Sequence, residues 1–268
     1  MQINLKDIYN PDLRAFLTLL HTEGLHNIVV LGGAVRDTLA ALPLRDIDIA
    51  VCLHSPAPVN IDNFPVVHNY EILPIMWEAL APLAKLLGCS VNDFCQDNGV
   101  TFRNTTVDLL GLVPIENSVG IRYPDIFVDS HKRVFGAYPE LTVNRIAISG
   151  SGEVWPELHV THLQERVGSF TDGLLGIDLF RILRALRTCI RFGLSLESQA
   201  VGIIEKHLYL LQNSEQFHQE ASDKRILPIM RQVFDDEKLS VNLDNIPLII
   251  NRIKNLLVTY AGSDGGTT

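Results

Sequence analysis

Asp46 and Asp48 stand two residues apart in Arg45-Asp46-Ile47-Asp48-Ile49-Ala50-Val51, an apolar, partly β-branched run that predicts a strand. On a strand both carboxylates leave by the same face. Side by side they repel unless a cation lies between them, and Mg²⁺ prefers oxygen ligands completed by substrate phosphates. Upstream, in Val30-Leu31-Gly32-Gly33-Ala34-Val35-Arg36-Asp37-Thr38-Leu39, a buried strand over Ile28 to Leu31 runs into a glycine turn and a short helix. Gly32 and Gly33 lack Cβ atoms, so their amides can approach a ligand closely. The helix directs its N-terminus at that turn, a place for phosphate. A phosphate-holding turn beside a metal-holding carboxylate pair is a site for nucleotidyl transfer.

The order Gly-Gly-x-Val-Arg-Asp, short helix, Asp-x-Asp resembles the signature of class II tRNA nucleotidyltransferases (CCA-adding enzymes) and bacterial poly(A) polymerases. The resemblance implies a polymerase-β-like α/β head, a mixed sheet flanked by helices, followed by an all-helical neck. It implies that two Mg²⁺ ions are held by Asp46, Asp48 and a third carboxylate, Asp108, on a later strand. Gly32, Gly33 and Arg36 would hold the triphosphate of ATP or CTP, and Asp37 would fix the turn and the helix start.

Two further stretches extend the resemblance. Thr142-Val143-Asn144 matches the core of the family's Arg-Arg-Asp-Phe-Thr-Ile-Asn-Ala motif, which implies nucleotide contact at Asn144. Tyr138, Pro139 and Glu140 stand in place of its two arginines and its aspartate, and Arg145 is placed to compensate. Gly176-Ile177-Asp178-Leu179-Phe180-Arg181-Ile182-Leu183-Arg184-Ala185-Leu186-Arg187 resembles Glu-Asp-x-x-Arg-x-x-Arg-Ala-x-Arg-Phe, with Ile177 for the glutamate. There the family reads the nucleobase on protein side chains, which assigns Asp178 and Arg181 to that task. Asp178 is also suited to cap a helix. Arg184 and Arg187 continue a basic face at helical spacing toward phosphate or RNA. Between these stretches, 152–163 keeps only Pro156 and Leu163 of the family's glycine-rich link. His159 and His162 there share an i, i+3 spacing without a third metal ligand at a matching interval. Ser222, Arg225 and Ile226 match the family's Ser-x-x-Arg-Ile helix.

The elements that must position these groups follow from periodicity and punctuation. A helix is predicted from Pro11 to about residue 23, capped by Asn10 and closed by Gly24. His54 to Phe64 reads as a loop, Pro74 to Leu87 as an apolar helix. Val91–Cys95, Val100–Arg103 and Thr105–Leu110 are expected to supply two or three short strands with an Asp97-Asn98-Gly99 turn. Val113 to Pro139 reads as a loop. A helix starting near Asp178 is expected within 173–192, and further helices over 194–211, 222–234 and 246–260. The domain division expected is 1–150 for the head and 151–262 for the neck, with 263–268 a frayed, flexible tail.

With 268 residues, 47% of them hydrophobic, the chain can bury a substantial core. No stretch has the length of a membrane span, and the N-terminus lacks a signal-peptide layout, so a cytoplasmic protein without a membrane partner is expected. Cys52, Cys89, Cys95 and Cys189 lack metal-ligand spacing and read as free thiols. A net charge of −9 weighs against extensive contact with a phosphate backbone, although a local basic stripe is compatible with it.

These features predict template-independent addition of nucleotides from ATP or CTP to an RNA 3′-OH, of the CCA-end or poly(A) type. Two alternatives remain at this point: a degenerate relative that binds nucleotide or RNA without turnover, and a transferase acting on a small molecule or protein. Which nucleotide is used, and the oligomeric state, are not written in the sequence.

Overall fold

The structure, a computed structural model, describes residues 1–54, 72–95, 99–115, 126–128, 134–136, 141–170, 177–239 and 246–262. The chain divides into two compact units, Met1–Pro139 with Val143–Thr161, and Glu140–Thr142 with His162–Thr268.

The first unit is built on β1 (Ile28–Leu31), whose four side chains are all buried. A strand with both faces covered reads as an unbroken apolar run, which is what Ile-Val-Val-Leu supplies. β1 pairs antiparallel with β2 (Asp46–His54) on one side and with β7 (Ala147–Ser149) on the other. β2 in turn runs parallel to β4 (Thr105–Ile115), and β4 forms a hairpin with β3 (Val100–Phe102). With β8 (Val154–Trp155) the sheet has the order β3-β4-β2-β1-β7-β8, and it is mixed as expected.

Helix α1 (Pro11–Thr22) buries Leu13, Phe16, Leu17 and Leu20. Its start is fixed by the Asn10 side chain, which accepts from the Asp12 and Leu13 amides at 3.0 Å each. Two contacts lay it on the sheet. The Phe16 ring meets Phe102 edge-on at 5.3 Å, and the Thr105 hydroxyl donates to Asp12 at 3.1 Å. Helix α2 (Gly32–Leu39) follows β1 without a loop, and α3 (Ile72–Leu87) buries Leu80, Leu83 and Ala84.

Two stretches of the first unit differ from the sequence reading. Val91–Cys95 is a 3₁₀ turn and not a strand. The predicted loop from 113 onward contains the end of β4 and a two-stranded ribbon of β5 (Ile126–Val128) and β6 (Val134–Gly136). The predicted loop over 55–64, Asp97 and Asn98, Tyr138 to Glu140, Gly176 and the tail 263–268 lie outside the described residues.

The second unit is helical apart from a short parallel pair, β9 (Val167–Gly168) with β10 (Ser195–Leu196). α4 (Glu157–Gln164) leads into it. α5 (Leu179–Phe192) buries Leu179, Ile182, Leu183, Leu186 and Cys189 along one stripe and packs chiefly on α8 (Ile226–Phe234). Gly193, at φ +62°, closes α5 in the left-handed conformation that glycine adopts most readily. α6 (Ser198–Leu210), α7 (Ser214–Ala221) and α9 (Ile246–Tyr260) complete the unit. The helix expected to begin at 222 starts at Ile226. Residues 222–225 form the turn before it, where Asp223 accepts from the Arg225 amide at 2.9 Å. No helix among the described residues is long and apolar enough to cross a membrane.

Candidate active site

The parallel register of β2 and β4 pairs Asp48 with Asp108 and Asp46 with Thr106. Paired positions of neighbouring strands project to one face, so Asp46, Asp48 and Asp108 share a face. The intervening Ile47, Ile49 and Val107 are fully buried on the other. Asp46 is exposed, whereas Asp48 and Asp108 are half-buried. Burial raises the pKa of the Asp108 carboxyl above the ordinary range, and the negative charge of Asp46 raises it further. On its other side Asp48 stands opposite Leu31, the last residue of β1 before the glycine turn. The turn and the carboxylates thus meet on three adjacent strands.

Gly99 belongs to this face, although the sequence shows it only as the end of a turn. A Cβ there would lie 1.9 Å from Asp108 Oδ1 and 2.6 Å from the Val107 carbonyl, at a backbone φ of +53°. Only glycine leaves the Asp108 carboxylate where it is. Its signal in the sequence is a glycine immediately before the strand that pairs with the Asp108 strand. Among the described residues no three carboxylate, imidazole or thiol groups stand close enough to hold a metal ion between them.

The glycine turn departs from expectation in one respect. Gly32 adopts φ +59° and its amide donates to the Ile146 carbonyl at 2.8 Å, so it serves the fold and is not presented to a phosphate. α2 has no side-chain cap and no acidic residue in its first turn. Helix geometry leaves the next amides, those of Gly33 and Ala34, without intrahelical acceptors, so the N-terminus retains its character as an anion site.

Arg36 lies against this turn, its Nη2 3.7 Å from where a Gly33 Cβ would be. Expected on the triphosphate, its guanidinium donates to Asp37 Oδ1 through Nε at 2.8 Å and Nη2 at 2.6 Å, and to the Asn144 side-chain oxygen through Nη1. Asp37, 3% exposed, therefore holds Arg36. Asn144, expected to touch nucleotide, is 5% exposed, and its side-chain oxygen is taken by Arg36. It sits in a 3₁₀ turn, Thr142–Asn144. Arg145 is buried too, so it is not a surface cation.

In the second unit Asp178 is the N-cap of α5. Its Oδ1 accepts from the Arg181 amide at 2.7 Å, and its Oδ2 pairs with Arg181 Nη1 at 3.2 Å. The two predicted base readers are therefore bonded to each other. Arg184 lies over the Phe180 ring at 5.6 Å, with Arg225 over the same ring at 4.1 Å. Arg187 donates to Gln232 at 3.2 Å. The two histidines of α4 have separate structural partners: His159 Nδ1 meets the Arg145 carbonyl at 3.0 Å, and His162 Nδ1 meets the Thr142 hydroxyl at 2.9 Å.

No protein-family model matches the chain, and no curated protein does so by sequence. Solved structures do match by shape. The Thermotoga maritima CCA-adding enzyme complexed with tRNA is 15% identical, with a TM-score of 0.52 over 96% of this chain and 54% of that one. An apo CCA-adding enzyme is 16% identical at a TM-score of 0.57, over 96% and 55%. A CCA-adding enzyme with ATP is 16% identical at a TM-score of 0.56, over 97% and 55%. The chain thus spans about half the length of the enzymes it matches. At this identity the likeness concerns architecture: the chain has the fold of the CCA-adding enzymes, here a mixed-sheet α/β unit and a helical unit.

Proposed function

We propose that this protein transfers nucleotides from an NTP, ATP or CTP, to an RNA 3′-OH, with tRNA a candidate acceptor. The observation that supports this most is the register Leu31–Asp48–Asp108. It puts an uncapped helix N-terminus and a carboxylate face side by side on three adjacent strands.

By donor chemistry the face suits Mg²⁺, since hard carboxylate oxygens from strands about 4.8 Å apart leave room for phosphate and water ligands. Asp46, Asp48 and Asp108 would hold two such ions. Bound there, the metal supplies charge neutralisation at the phosphates and a lowered pKa for the attacking hydroxyl. The amides of Gly33 and Ala34 receive the phosphate oxygens, and Arg36, oriented by Asp37 and Asn144, adds positive potential behind them. Gly99 keeps the space that the Asp108 carboxylate occupies. Asp178 and Arg181 present an acceptor and a donor to the base, and Arg184 and Arg187 face the RNA backbone.

A second reading, nucleotide binding without turnover, draws on Tyr138 and Pro139 standing where the resembled family has its two arginines. One experiment separates the two. The protein is incubated with each NTP alone, Mg²⁺ and total RNA, and the RNA 3′ ends are sequenced. Nucleotides added by the wild-type chain and absent with Asp46→Ala/Asp48→Ala support transfer. Unextended 3′ ends with every NTP support the second reading.

A further inference from the structure

Helix α5 begins between two carboxylates that come from different parts of the second unit. Asp178 takes the Arg181 amide, and Glu220, on α7, takes the Leu179 amide at 2.7 Å through Oε2. The same oxygen lies 3.0 Å from Nε2 of His207, a buried residue of α6, while Gln216 reaches Oε1 at 3.4 Å. Three helices therefore meet at one side chain. Glu220 also lines the same groove as Asp178 and Phe180, a cavity of about 570 Å³.

This arrangement has a consequence for the Asp178–Arg181 pair. With the first and third amides of α5 taken by carboxylates, this N-terminus does not serve phosphate as that of α2 can. What the first turn of α5 can present to a ligand is side-chain geometry, and that geometry depends on the turn staying wound. The Asp178 cap alone anchors it at Arg181. The Glu220 bond anchors Leu179, and His207 holds the Glu220 carboxylate in place.

We propose that Glu220, oriented by His207, is a positioning residue for nucleotide choice, acting through the first turn of α5 on the Asp178–Arg181 pair. This rests on the reading that the pair meets the base. A merely structural carboxylate would lower turnover of every NTP alike. A positioning residue changes the ratio between them, because discrimination comes from groups held to match one base edge and not another.

The test measures kcat/KM for each of the four NTPs with RNA acceptor and Mg²⁺, using the full chain. Wild type, Glu220→Ala, Glu220→Gln, Asp178→Ala and the double variant Asp178→Ala/Glu220→Ala are compared. The expected result is that Glu220→Ala narrows the preference between best and worst NTP by about tenfold. Glu220→Gln, which keeps an acceptor for Leu179, retains most of the preference. The double variant is expected to discriminate no less than Asp178→Ala alone, since the two act as one unit. Should Glu220→Ala fail to fold, Glu220→Asp, with the charge kept and the reach shortened, is expected to show the same narrowing. An unchanged preference, or an equal loss for all four NTPs, overturns the inference while leaving transfer itself standing. A wild-type chain that takes all four equally overturns the base-reading role, and this inference with it.

Discussion

Asp108 joins the candidate chemistry to a measurable cost. Burial and the neighbouring Asp46 charge hold its pKa above the ordinary value. A carboxyl raised in the folded state favours folding while protonated, so stability falls as pH rises from the unfolded pKa through the folded one. Without Mg²⁺, wild type should therefore lose stability relative to Asp108→Asn across that window in thermal melts. Near neutral pH the variant should melt above wild type, and added Mg²⁺ should raise the wild-type midpoint more than the variant's. The same substitution is expected to cut nucleotide transfer by about 10²-fold or more. Asp46 and Asp48 were legible from their two-residue spacing alone, because period two on a strand needs no tertiary information. Gly99 was not, because its reason for being glycine is the Asp108 carboxylate, and that proximity exists only once β3 and β4 have paired. Gly99→Ala is expected to fold less stably and to lose transfer, whereas Gly88→Ala, with open space around its Cβ position and a similar φ of +69°, should lose stability without loss of transfer.

At the level of elements, the side chain that ties α2 to the 142–144 turn is Arg36. Asp37 pairs with its charge, Asn144 helps to orient it, and both are buried. Removing one partner of a buried pair leaves the other charge uncompensated, so Asp37→Ala should destabilise the protein by about 3 kcal/mol in chemical denaturation. Asn144→Ala, which removes a neutral acceptor, should cost about 1–3 kcal/mol. A substitution at the α5 cap is milder: Asp178→Ala should cost about 1 kcal/mol, a few degrees in Tm. The helices α1 and α9 were legible because their proline starts and apolar spacing agree, and α1 adds the Asn10 cap. Val91–Cys95 misled because its five residues span fewer than two helical turns, too few for periodicity to separate strand from 3₁₀ turn. Residues 222–225 misled because Asp223 and Arg225 form their own local hydrogen bonds, which close a turn where helix spacing seemed to continue.

For the molecule as a whole, the sequence motifs anticipated a mixed α/β sheet followed by helices, and the likeness to CCA-adding enzymes supports that architecture over nearly the whole chain. What the sequence did not reveal is how the motifs are used. Gly32 offers its amide to Ile146 and Arg36 binds Asp37, bonds that residue type alone does not announce, whereas the Asp178 cap was legible from its place at the helix start. The account depends on one face of the head sheet holding a divalent cation and a triphosphate together. The direct measurement is binding of Mn²⁺, by electron paramagnetic resonance, with and without a non-hydrolysable NTP analogue, to wild type and to Asp48→Asn. The account predicts that wild type binds Mn²⁺ more tightly in the presence of the analogue and that Asp48→Asn loses this gain. Equal Mn²⁺ binding by the two proteins, or an analogue that leaves wild-type Mn²⁺ affinity unchanged, would contradict it.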